Sequence, residues 1–399
     1  MPDPLRAPSV SRLPSSAAAL PSSLRVVHVV RQFRPGIGGL EESVHRLCAR
    51  LSEKIRVDIV TLDRLFSNPR ERLPARDVVD GLDVRRLGWF GSRRYPVAPG
   101  IWNATRHADI IHVHAVDFFF DALAATRAFH GKPMVASTHG GFFHTDFARG
   151  PKKVYFRTAT RASIKAYDAV CASGESDYAL FSGISDRVHR IGNGVESAKW
   201  ADRASREPTK TLIYFGRISR NKRVDLLLLL LSRLVSADPE WRLIIAGTFW
   251  DVKEGAVREQ IERLGLGAQV HLEIAPDDAG IGELIQQSSF YASASEHEGF
   301  GISVVEAMGA GLFPVLSRIP AFEALLSGVG TGVLVDDFAS EEAASTLRQI
   351  AADLARSGDY ARRRLMSSAG GYDWRERAEE VLQLYRSILD QRAPKGVAA

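Results

Sequence analysis

The stretch Ser295-Glu296-His297-Glu298-Gly299-Phe300-Gly301-Ile302-Ser303-Val304-Val305-Glu306-Ala307-Met308 decides the predicted fold. A short apolar strand at 290–293 leads into its glycine-rich turn, and the apolar spacing after the turn predicts a helix that begins near Ser303. Glycines allow backbone N–H groups to approach a ligand closely, and a helix N-terminus carries partial positive charge. The turn therefore suits a phosphate group, although an ordinary strand–turn–helix connection explains the same pattern.

Two carboxylates flank this turn, Glu298 and Glu306, with seven residues between them. In the setting E-G-F-G-I-S-V-V-E-A-M-G-A-G, this spacing resembles the signature of family-4 retaining glycosyltransferases. The resemblance implies an α/β, GT-B fold: two facing, doubly wound Rossmann-like domains and a C-terminal helix that crosses back to the first. It also implies that Glu298 holds hydroxyls of the transferred sugar, that Phe300 and Gly301 offer backbone contacts, and that Glu306 holds the nucleotide ribose.

Length and composition fit a two-domain intracellular protein. The 399 residues are 45% apolar, which is enough to bury two cores of ordinary domain size, and no run of eighteen apolar residues predicts a membrane-spanning helix. Residues 1–23 are rich in Pro, Ser and Ala and lack the apolar region of a signal peptide, which predicts a disordered tail. Two cysteines, Cys48 and Cys171, provide no disulfide framework and indicate a cytoplasmic location.

The charge is divided unequally between the two halves. Residues 1–199 contain 29 Lys and Arg against 19 Asp and Glu, whereas residues 200–399 contain 23 against 28. A basic N-terminal half suits an anionic partner such as nucleic acid, a membrane surface or a phosphorylated substrate, and it is equally consistent with a simple solvated surface.

The most basic segment is 149–165, where no acidic residue occurs between positions 147 and 167. Lys153, Arg157, Arg161 and Lys165 are four apart and would share one helix face. That face is either a solvated surface or a contact for anionic lipid headgroups or a lipid diphosphate. No nucleic-acid-binding module accompanies the charge, so we predict no nucleic-acid partner and a peripheral contact with the inner face of the cytoplasmic membrane.

The first predicted strand, 24–30, is followed by Pro35-Gly36-Ile37-Gly38-Gly39 and an amphipathic helix. Gly36 and Gly38 match the start of the dinucleotide fingerprint, but Glu41 occupies the position of its third glycine, so NAD binding is not predicted. Gly38-Gly39-Leu40-Glu41 instead resembles the G-G-x-E motif of family-4 transferases. The resemblance implies that Gly38 and Gly39 lie over the donor phosphates and that Glu41 lies near the acceptor.

Further strand patterns at 57–62, 84–87, 110–114, 134–138 and 169–172 alternate with helical patterns, which predicts a mostly parallel sheet covered on both faces. Ligands of such sheets bind at the carboxyl ends of the strands. His139 ends one strand and precedes two glycines, where a histidine is either structural or functional. Thr138-His139-Gly140-Gly141 resembles the family motif whose histidine contacts the transferred sugar. His144 is a further candidate, which we place on the acceptor side.

The second domain opens with a strand at 211–215 that ends in Gly216 and Arg217, and Lys222 follows at the start of a leucine-rich helix. Either cation alone is typical of a protein surface, but two fixed cations beside backbone donors suit a diphosphate. The pattern G-R-x4-K resembles the family's diphosphate clamp, although Arg223 stands where the family usually has glycine.

The domain boundaries follow from turns and composition. Ile191-Gly192-Asn193-Gly194-Val195-Glu196 resembles the turn that closes the first domain, and the polar segment 201–210 predicts a linker. We therefore predict a tail at 1–23, an acceptor-side domain at 24–200, a linker at 201–210, a nucleotide-sugar-binding domain at 211–371 and a crossover helix at 372–390.

The motif set implies a specific transferase. The N-terminal motifs V-V-H-V-V-R-Q-F-R-P-G-I-G-G and S-T-H-G-G-F-F-H-T resemble the subgroup that transfers mannose from GDP-mannose to polyprenyl-diphosphate-linked cellobiose, in α-1,3 linkage, during exopolysaccharide assembly. Another nucleotide sugar, such as a UDP-sugar, or another lipid-linked acceptor is the alternative within the family. A sugar-nucleotide epimerase and a catalytically silent binding subunit remain as alternatives outside it.

The resemblance implies that Arg217 and Lys222 stabilise the leaving diphosphate and that His139 and Glu298 shape the reacting centre, without a carboxylate nucleophile. No Asp-x-Asp occurs in the sequence, which argues against a metal-bridged diphosphate. We therefore predict a reaction that requires neither a metal nor another cofactor.

Overall fold

The computed structural model describes residues 20–392 except 37, 94, 140–153 and 358. The chain divides into two compact units, the first formed by residues 1–194 and 374–399 and the second by residues 195–373. Each unit is a parallel sheet covered by helices, so the predicted architecture of two doubly wound α/β domains is confirmed.

The first unit contains a sheet of eight strands in the order β10-β9-β8-β7-β1-β2-β4-β3. All neighbouring strands are parallel except β3, which runs antiparallel to β4, and a separate antiparallel pair is formed by β5 and β6. The strands are β1 Arg25–Val29, β2 Arg56–Leu62, β3 Arg76–Val79, β4 Leu82–Leu87, β5 Phe90–Ser92, β6 Tyr95–Val97, β7 Ile110–His114, β8 Met134–Ser137, β9 Ala169–Ala172 and β10 Val188–Arg190.

Helices cover both faces of this sheet. They are α1 Gly39–Ser52, α2 Ile101–Thr105, α3 Phe118–Ala125, α4 Arg127–His130, a helical segment made of Phe156–Thr160, Arg161–Ser163 and Ile164–Ala166, and α5 Glu175–Ser182. The last helix of the chain, α13 Trp374–Arg392, also belongs to this unit and packs on α1. Its buried residues include Val381 and Tyr385, which join the core under β1 and β7.

The second unit contains six parallel strands in the order β13-β12-β11-β14-β15-β16. They are β11 Thr211–Phe215, β12 Arg242–Gly247, β13 Val270–Ile274, β14 Phe290–Ser293, β15 Phe313–Ser317 and β16 Val333–Val335. The helices are α6 Val224–Ala237, α7 Glu254–Arg263, α8 Asp278–Ile285, α9 Ile302–Ala310, α10 Pro320–Val329, α11 Glu341–Ser357 and α12 Tyr360–Gly370, and one helical turn, Arg220–Lys222, precedes α6.

The boundary between the units differs from the predicted linker. The chain changes units between 194 and 195, whereas residues 201–210 lie wholly within the second unit. Ala204 is buried there, its N–H donates to the carbonyl of Ala310, and the Arg362 guanidinium donates to the carbonyl of Asp202. The polar composition of the segment was misleading because hydrogen bonds and ion pairs, rather than large apolar side chains, attach it to the unit.

Among the helices that the structure describes, none combines the length and the apolar composition needed to cross a membrane.

Candidate active site

The second unit offers a ligand site at the point where its strand order reverses. Strand β11 pairs with β12 on one side and with β14 on the other, so the strand order reverses between β11 and β14. Such crevices at the carboxyl ends of strands are where open α/β sheets bind ligands. Arg217 lies two residues beyond β11 and Glu298 five residues beyond β14, so the fold brings both predicted residues to this edge.

Lys222 and Glu298 meet directly across this point. The Lys222 ammonium group donates to the Glu298 carboxylate, and the Ser295 hydroxyl donates to the same oxygen at 2.9 Å. The two charged side chains are only 21% and 15% exposed, so solvent screens the pair less than a surface ion pair. The structure therefore joins the predicted diphosphate cation to the predicted sugar-binding carboxylate.

Asn221 ties the two loops together from the backbone side. Its side-chain amide donates to the carbonyl of His297 at 2.8 Å, and the N–H of Glu296 donates to the carbonyl of Asn221 at 2.9 Å. These bonds fix the Lys222 turn against the Glu298 loop. The sequence analysis missed Asn221 and Ser295, although their positions next to Lys222 and three before Glu298 are a usable signal.

Arg217 lies at the end of β11 beside an exposed aromatic ring. Its guanidinium carbon is 4.9 Å from the ring centroid of Trp250, whose side chain is 73% exposed. The phenol of Tyr214 donates to the carbonyl of Arg217 at 2.6 Å and holds the backbone at this position. Sequence reasoning missed Trp250 because it lies in the loop after β12, outside any recognised motif.

Close backbone contacts explain the glycines at these strand ends. Gly216 has φ +141° and Gly247 has φ +158°, and a Cβ on Gly247 would lie 1.8 Å from the carbonyl oxygen of Gly216. Arg223, in the position where the resembling family has glycine, has φ +47°. It accepts this left-handed conformation with ion pairs to Asp225 and Glu296. Arg223, in place of the family's glycine, therefore introduces local backbone strain, which the two ion pairs offset.

Helix α9 begins at the turn that opened the sequence analysis. Gly301 precedes it with φ +93°, and Phe300 packs edge-on against Tyr372 with ring centroids 5.6 Å apart. Glu306 lies half-buried on the helix. Burial raises the pKa of Tyr291, and the negative charges of Glu298 and Glu306 add to the shift, so both carboxylates lie near one buried phenol.

In the first unit, His139 follows β8 with a left-handed backbone at φ +56°. Non-glycine residues in this region are uncommon and tend to mark functional sites. Burial lowers the pKa of His139 to about 4, although the nearby Asn193 amide partly opposes this shift. The ring is therefore neutral at physiological pH, and its Nε2 lies 2.7 Å from Nδ1 of His114.

Behind His139 lies a cluster of buried histidines that sequence reasoning did not find as a group. Nitrogen atoms of His28, His112 and His114 lie within 4.8 Å of one another, which makes this the candidate metal-ligand group among the described residues. Hydrogen bonds to neighbouring rings and hydroxyl groups occupy both ring nitrogens of each histidine. The nitrogens are therefore already engaged with one another rather than directed at an open coordination point.

Gly38 and Gly39 lie at the N-terminus of α1, which follows β1 at the corresponding reversal of the first sheet, between β1 and β7. The Glu41 carboxylate folds back over this turn, since a Cβ on Gly38 would lie 2.3 Å from its Oε2. Helix-terminal N–H groups and the positive end of α1 suit an anion, and a carboxylate at this position would compete with one.

The basic segment presents one exposed face. Arg157, Arg161 and Lys165 are exposed, whereas Phe156, Thr160 and Ile164 are buried, so the predicted division into faces holds across the helical segment. His144 and Lys153 fall outside the residues that the structure describes.

Comparison with known proteins extends over both units. The model of the family "Glycosyltransferase Family 4" matches residues 37–199, and that of "Glycosyl transferases group 1" matches residues 197–364. Among solved structures, Anabaena HepE in complex with UDP superimposes with a TM-score of 0.70 at 17% identity, covering 91% of this chain and 100% of that one. Sucrose-phosphate synthase from Thermosynechococcus elongatus gives 0.68 at 16% identity, covering 92% and 100%. These likenesses confirm the GT-B fold.

Two curated relatives are much more similar in sequence. The GDP-mannose:cellobiosyl-diphosphopolyprenol alpha-mannosyltransferase of Xanthomonas oryzae pv. oryzae is 44% identical over 92% of this chain and 97% of its own length. The protein of the same name from Komagataeibacter xylinus is 40% identical over 94% and 95%. The chain is therefore a glycosyltransferase and belongs to the family of these alpha-mannosyltransferases.

Proposed function

We propose that this chain transfers mannose from GDP-mannose to cellobiose linked to polyprenyl diphosphate, with an α-1,3 linkage, in the assembly of an exopolysaccharide repeat unit. The observation that carries the proposal is the 40–44% identity to transferases named for this donor and acceptor, which extends over at least 92% of the chain. Because mannose is α-linked in GDP-mannose and the relatives are alpha-mannosyltransferases, the proposed reaction retains the anomeric configuration.

The reaction breaks the bond between C1 of mannose and the β-phosphate oxygen of GDP, and both electrons of that bond stay with the phosphate. A new bond forms between C1 and an acceptor hydroxyl oxygen, whose proton passes to the departing phosphate on the same face of the sugar. Charge therefore grows on the diphosphate while the sugar gains oxocarbenium character. Groups that stabilise the developing phosphate charge lower the barrier most directly.

Lys222 and Arg217 are suited to stabilise the leaving diphosphate. Lys222 is fixed by Glu298 and by the Asn221 turn, and Tyr214 holds the backbone of Arg217. Lys222 is partly buried and Arg217 is exposed, and cations whose positions are already fixed cost little reorganisation when the phosphate charge grows. We propose that these two cations carry the electrostatic stabilisation without a divalent metal or another cofactor.

Glu298 and Glu306 are suited to hold hydroxyl groups of the donor. Glu298 would accept from the sugar and Glu306 from the ribose, while Phe300 and Gly301 offer backbone contacts at the start of α9. His139 would contact the transferred sugar as a neutral ring, because its pKa is lowered to about 4. None of these groups is assigned the role of a nucleophile.

We further propose that the basic segment contacts the membrane that carries the lipid acceptor. The Asp121 carboxylate accepts from Tyr95, at 3.0 Å, and from Tyr155, so the β5–β6 hairpin and the basic segment share one attachment. Phe90 on that hairpin is 62% exposed, and Arg157 and Arg161 of the basic segment are exposed as well. Exposed aromatic and cationic side chains on two attached elements suit an interface with anionic lipid.

The decisive experiment is transfer of radiolabelled mannose from GDP-mannose to polyprenyl-diphosphate-linked cellobiose by the purified protein, with excess EDTA. We expect a labelled lipid-linked trisaccharide that an α-mannosidase cleaves. Transfer only from another nucleotide sugar would reject the mannosyl assignment and keep the transferase, whereas loss of transfer in EDTA that Mg²⁺ restores would reject metal independence.

A further inference from the structure

A row of polar groups crosses the otherwise apolar core of the first unit. His28 on β1 is the register partner of His112 on β7, and His114 lies two residues further along β7, so the three rings project from the same face of the sheet. All three histidines are 0% exposed. Tyr385 of α13, also 0% exposed, reaches the row from the helix that covers this face.

These groups form one unbranched series of hydrogen bonds, which we call the histidine network. It runs from Ser137 Oγ to His112 Nε2 at 2.8 Å, from His112 Nδ1 to the Tyr385 hydroxyl at 2.6 Å, and from that hydroxyl to His28 Nε2 at 3.4 Å. It continues from His28 Nδ1 to His114 Nε2 at 2.9 Å and from His114 Nδ1 to His139 Nε2 at 2.7 Å.

Proton counting leaves two arrangements for the ring-to-ring part of this network, His28–His114–His139. A neutral imidazole has one N–H donor and one acceptor nitrogen, so each ring inside the series donates at one end and accepts at the other. Reversing one ring of this part would place two N–H groups or two lone pairs against each other in the core, which costs at least the penalty of an unsatisfied buried group. The tautomer of His139 is therefore set by whether His28 donates to the Tyr385 hydroxyl or accepts from it.

The distances favour one direction. A phenol donates a single proton, and 2.6 Å to His112 Nδ1 is the length of a strong O–H bond, whereas 3.4 Å to His28 Nε2 is a weak contact. If Tyr385 donates to His112, then His112 Nε2 donates to Ser137. The Ser137 hydroxyl is in turn free to donate to Cys171: burial raises the pKa of that thiol to about 12, and a hydrogen bond from Ser137 partly opposes the shift.

The same direction fixes the other half of the series. His28 Nε2 then donates to the Tyr385 oxygen, and His28 Nδ1 must accept from His114 Nε2. His114 Nδ1 must accept from His139 Nε2, so the proton of His139 is on Nε2. Nδ1 of His139 then carries a lone pair. This buried atom has no hydrogen-bond partner of ordinary geometry among the described residues, although the Asn193 side-chain amide, which can act as a donor, lies close enough to affect the pKa of the ring.

We propose that Tyr385, His28 and His114 are positioning residues that hold His139 as the neutral Nε2–H tautomer, so that Nδ1 accepts a hydrogen bond from a hydroxyl of the transferred sugar. The inference rests on the proposed function only in giving His139 a sugar to contact. The His139 backbone is left-handed and therefore strained, so hydrogen-bond partners are needed to hold its ring in place. Low pKa values for all four rings, caused by burial, agree with a network that stays neutral.

The test is 15N NMR of the full-length protein labelled with 15N-histidine, with His139 assigned by comparison with His139→Gln. We expect the free wild-type protein at pH 7 to show His139 with a protonated Nε2 and an unprotonated Nδ1. An Nδ1–H tautomer, an averaged signal, or zinc retained stoichiometrically by the purified protein would overturn the proposal, since zinc would require the same nitrogens.

A variant at Tyr385, which is separated from His139 by two rings of the network, distinguishes a positioning role from a general effect on stability. In Tyr385→Phe we expect the His139 tautomer to become mixed, kcat to fall at least fivefold, and the KM for the nucleotide sugar to stay within twofold. The matched control is Tyr167→Phe, which removes another fully buried phenol of the same unit, one that donates to the carbonyl of Phe120 at 2.9 Å. It should change neither the spectrum nor kcat.

If Tyr385→Phe shows the same single His139 tautomer as the wild-type protein, the proposal is overturned. Because the wild-type spectrum is recorded without substrate, the tautomer is decided even if Tyr385→Phe does not fold or if GDP-mannose is not the donor.

Discussion

The ammonium group of Lys222 and the carboxylate of Glu298 form an ion pair although the two residues are 76 positions apart in the chain. The pair lies where the sheet of the second unit reverses its strand order. The Ser295 hydroxyl donates to the same carboxylate. A donor diphosphate would therefore enter a place where a cation is already fixed by its surroundings. Removing that cation tests the electrostatic part of the mechanism.

We expect Lys222→Ala to lower kcat/KM at least 100-fold, because a fixed charge that stabilises a developing anion contributes about 3 kcal/mol to the barrier. Steady-state transfer assays measure this, and circular dichroism checks the fold. The control is Lys210→Ala, which removes a lysine of the same unit that pairs with Asp238 and Glu240 and should leave the rate within twofold. Near-normal turnover of Lys222→Ala would reject its role.

The left-handed conformation of Arg223 predicts an unusual order of variant stabilities. Arg223→Gly and Arg223→Ala both lose the ion pairs, but only the glycine variant removes the backbone strain. We expect the glycine variant to be more stable than the alanine variant by about 1 kcal/mol in urea unfolding. Equal stability, or a more stable alanine variant, would show that φ +47° imposes no strain here.

The contact between Gly216 and Gly247 predicts a site that tolerates no side chain. Gly247→Ala would place a Cβ 1.8 Å from the Gly216 carbonyl oxygen, so we expect a loss of more than about 2 kcal/mol in the free energy of unfolding. Gly255→Ala on α7 is the matched control, since no atom lies within 4 Å of its Cβ, and it should be neutral or stabilising by up to about 1 kcal/mol. Similar effects at both positions would contradict this explanation.

The exposed cations of the basic segment predict salt-sensitive binding to anionic vesicles. We expect Arg157→Gln with Arg161→Gln to weaken sedimentation with phosphatidylserine-containing liposomes about 30-fold, since each basic residue near such a surface contributes about 1 kcal/mol. Donor binding should not change. Arg258→Gln with Arg263→Gln on α7 is the charge-matched control. Unchanged sedimentation of the variant with Arg157→Gln and Arg161→Gln would show that the segment is an ordinary solvated surface.

The buried histidines predict that acid destabilises the first unit. Burial lowers the pKa of His28 to about 3 and of His139 to about 4, and it also lowers the pKa of His112 and His114. Below about pH 6.5 the unfolded chain binds protons that the native rings do not, so stability is complete above that pH and is lost as pH falls toward 4.

Each such ring adds a slope of about 1.4 kcal/mol per pH unit to the free energy of unfolding. Asp117 and Glu380 oppose this slope, because burial raises the pKa of Asp117 to about 6 and also raises the pKa of Glu380, so the native state binds the extra protons. Urea unfolding between pH 7 and 4.5 should therefore show a net fall in stability, and His139→Gln should reduce the slope by about one proton. A free energy of unfolding that stays constant or rises over this range would contradict the assignment of neutral rings.

Local sequence patterns were sufficient to predict the features of the fold that depend on residues close together in the chain. The glycine-rich turns, the alternation of strands and helices, and the exposed face with Arg157 and Arg161 all follow from residues a few positions apart. The same holds for Lys222 and Glu298 as candidates, since each lies in a recognisable motif. Their pairing was not predictable, because it depends on which strands neighbour β11.

Three features were decided only by the tertiary structure. Segment 201–210 belongs to the second unit because its backbone pairs with Ala310 and Arg362, partners more than 100 positions away. Arg223 occupies a left-handed position that its side chain gives no reason to expect. The histidine network exists because strand register places His28 beside His112 and because α13 returns Tyr385 to the same face.

One physical reason explains why some features were predictable from the sequence and others were not. Turns, caps and amphipathic faces are set by local conformational preference and by the period of the backbone, so the sequence alone determined the two-domain α/β architecture and its glycine turns. Hydrogen-bond partners distant in the chain depend on strand order and register, which are set by the packing of whole elements. For this protein, the candidate residues came from the sequence, whereas the ion pair at Glu298 and the proposed tautomer of His139 came from the fold.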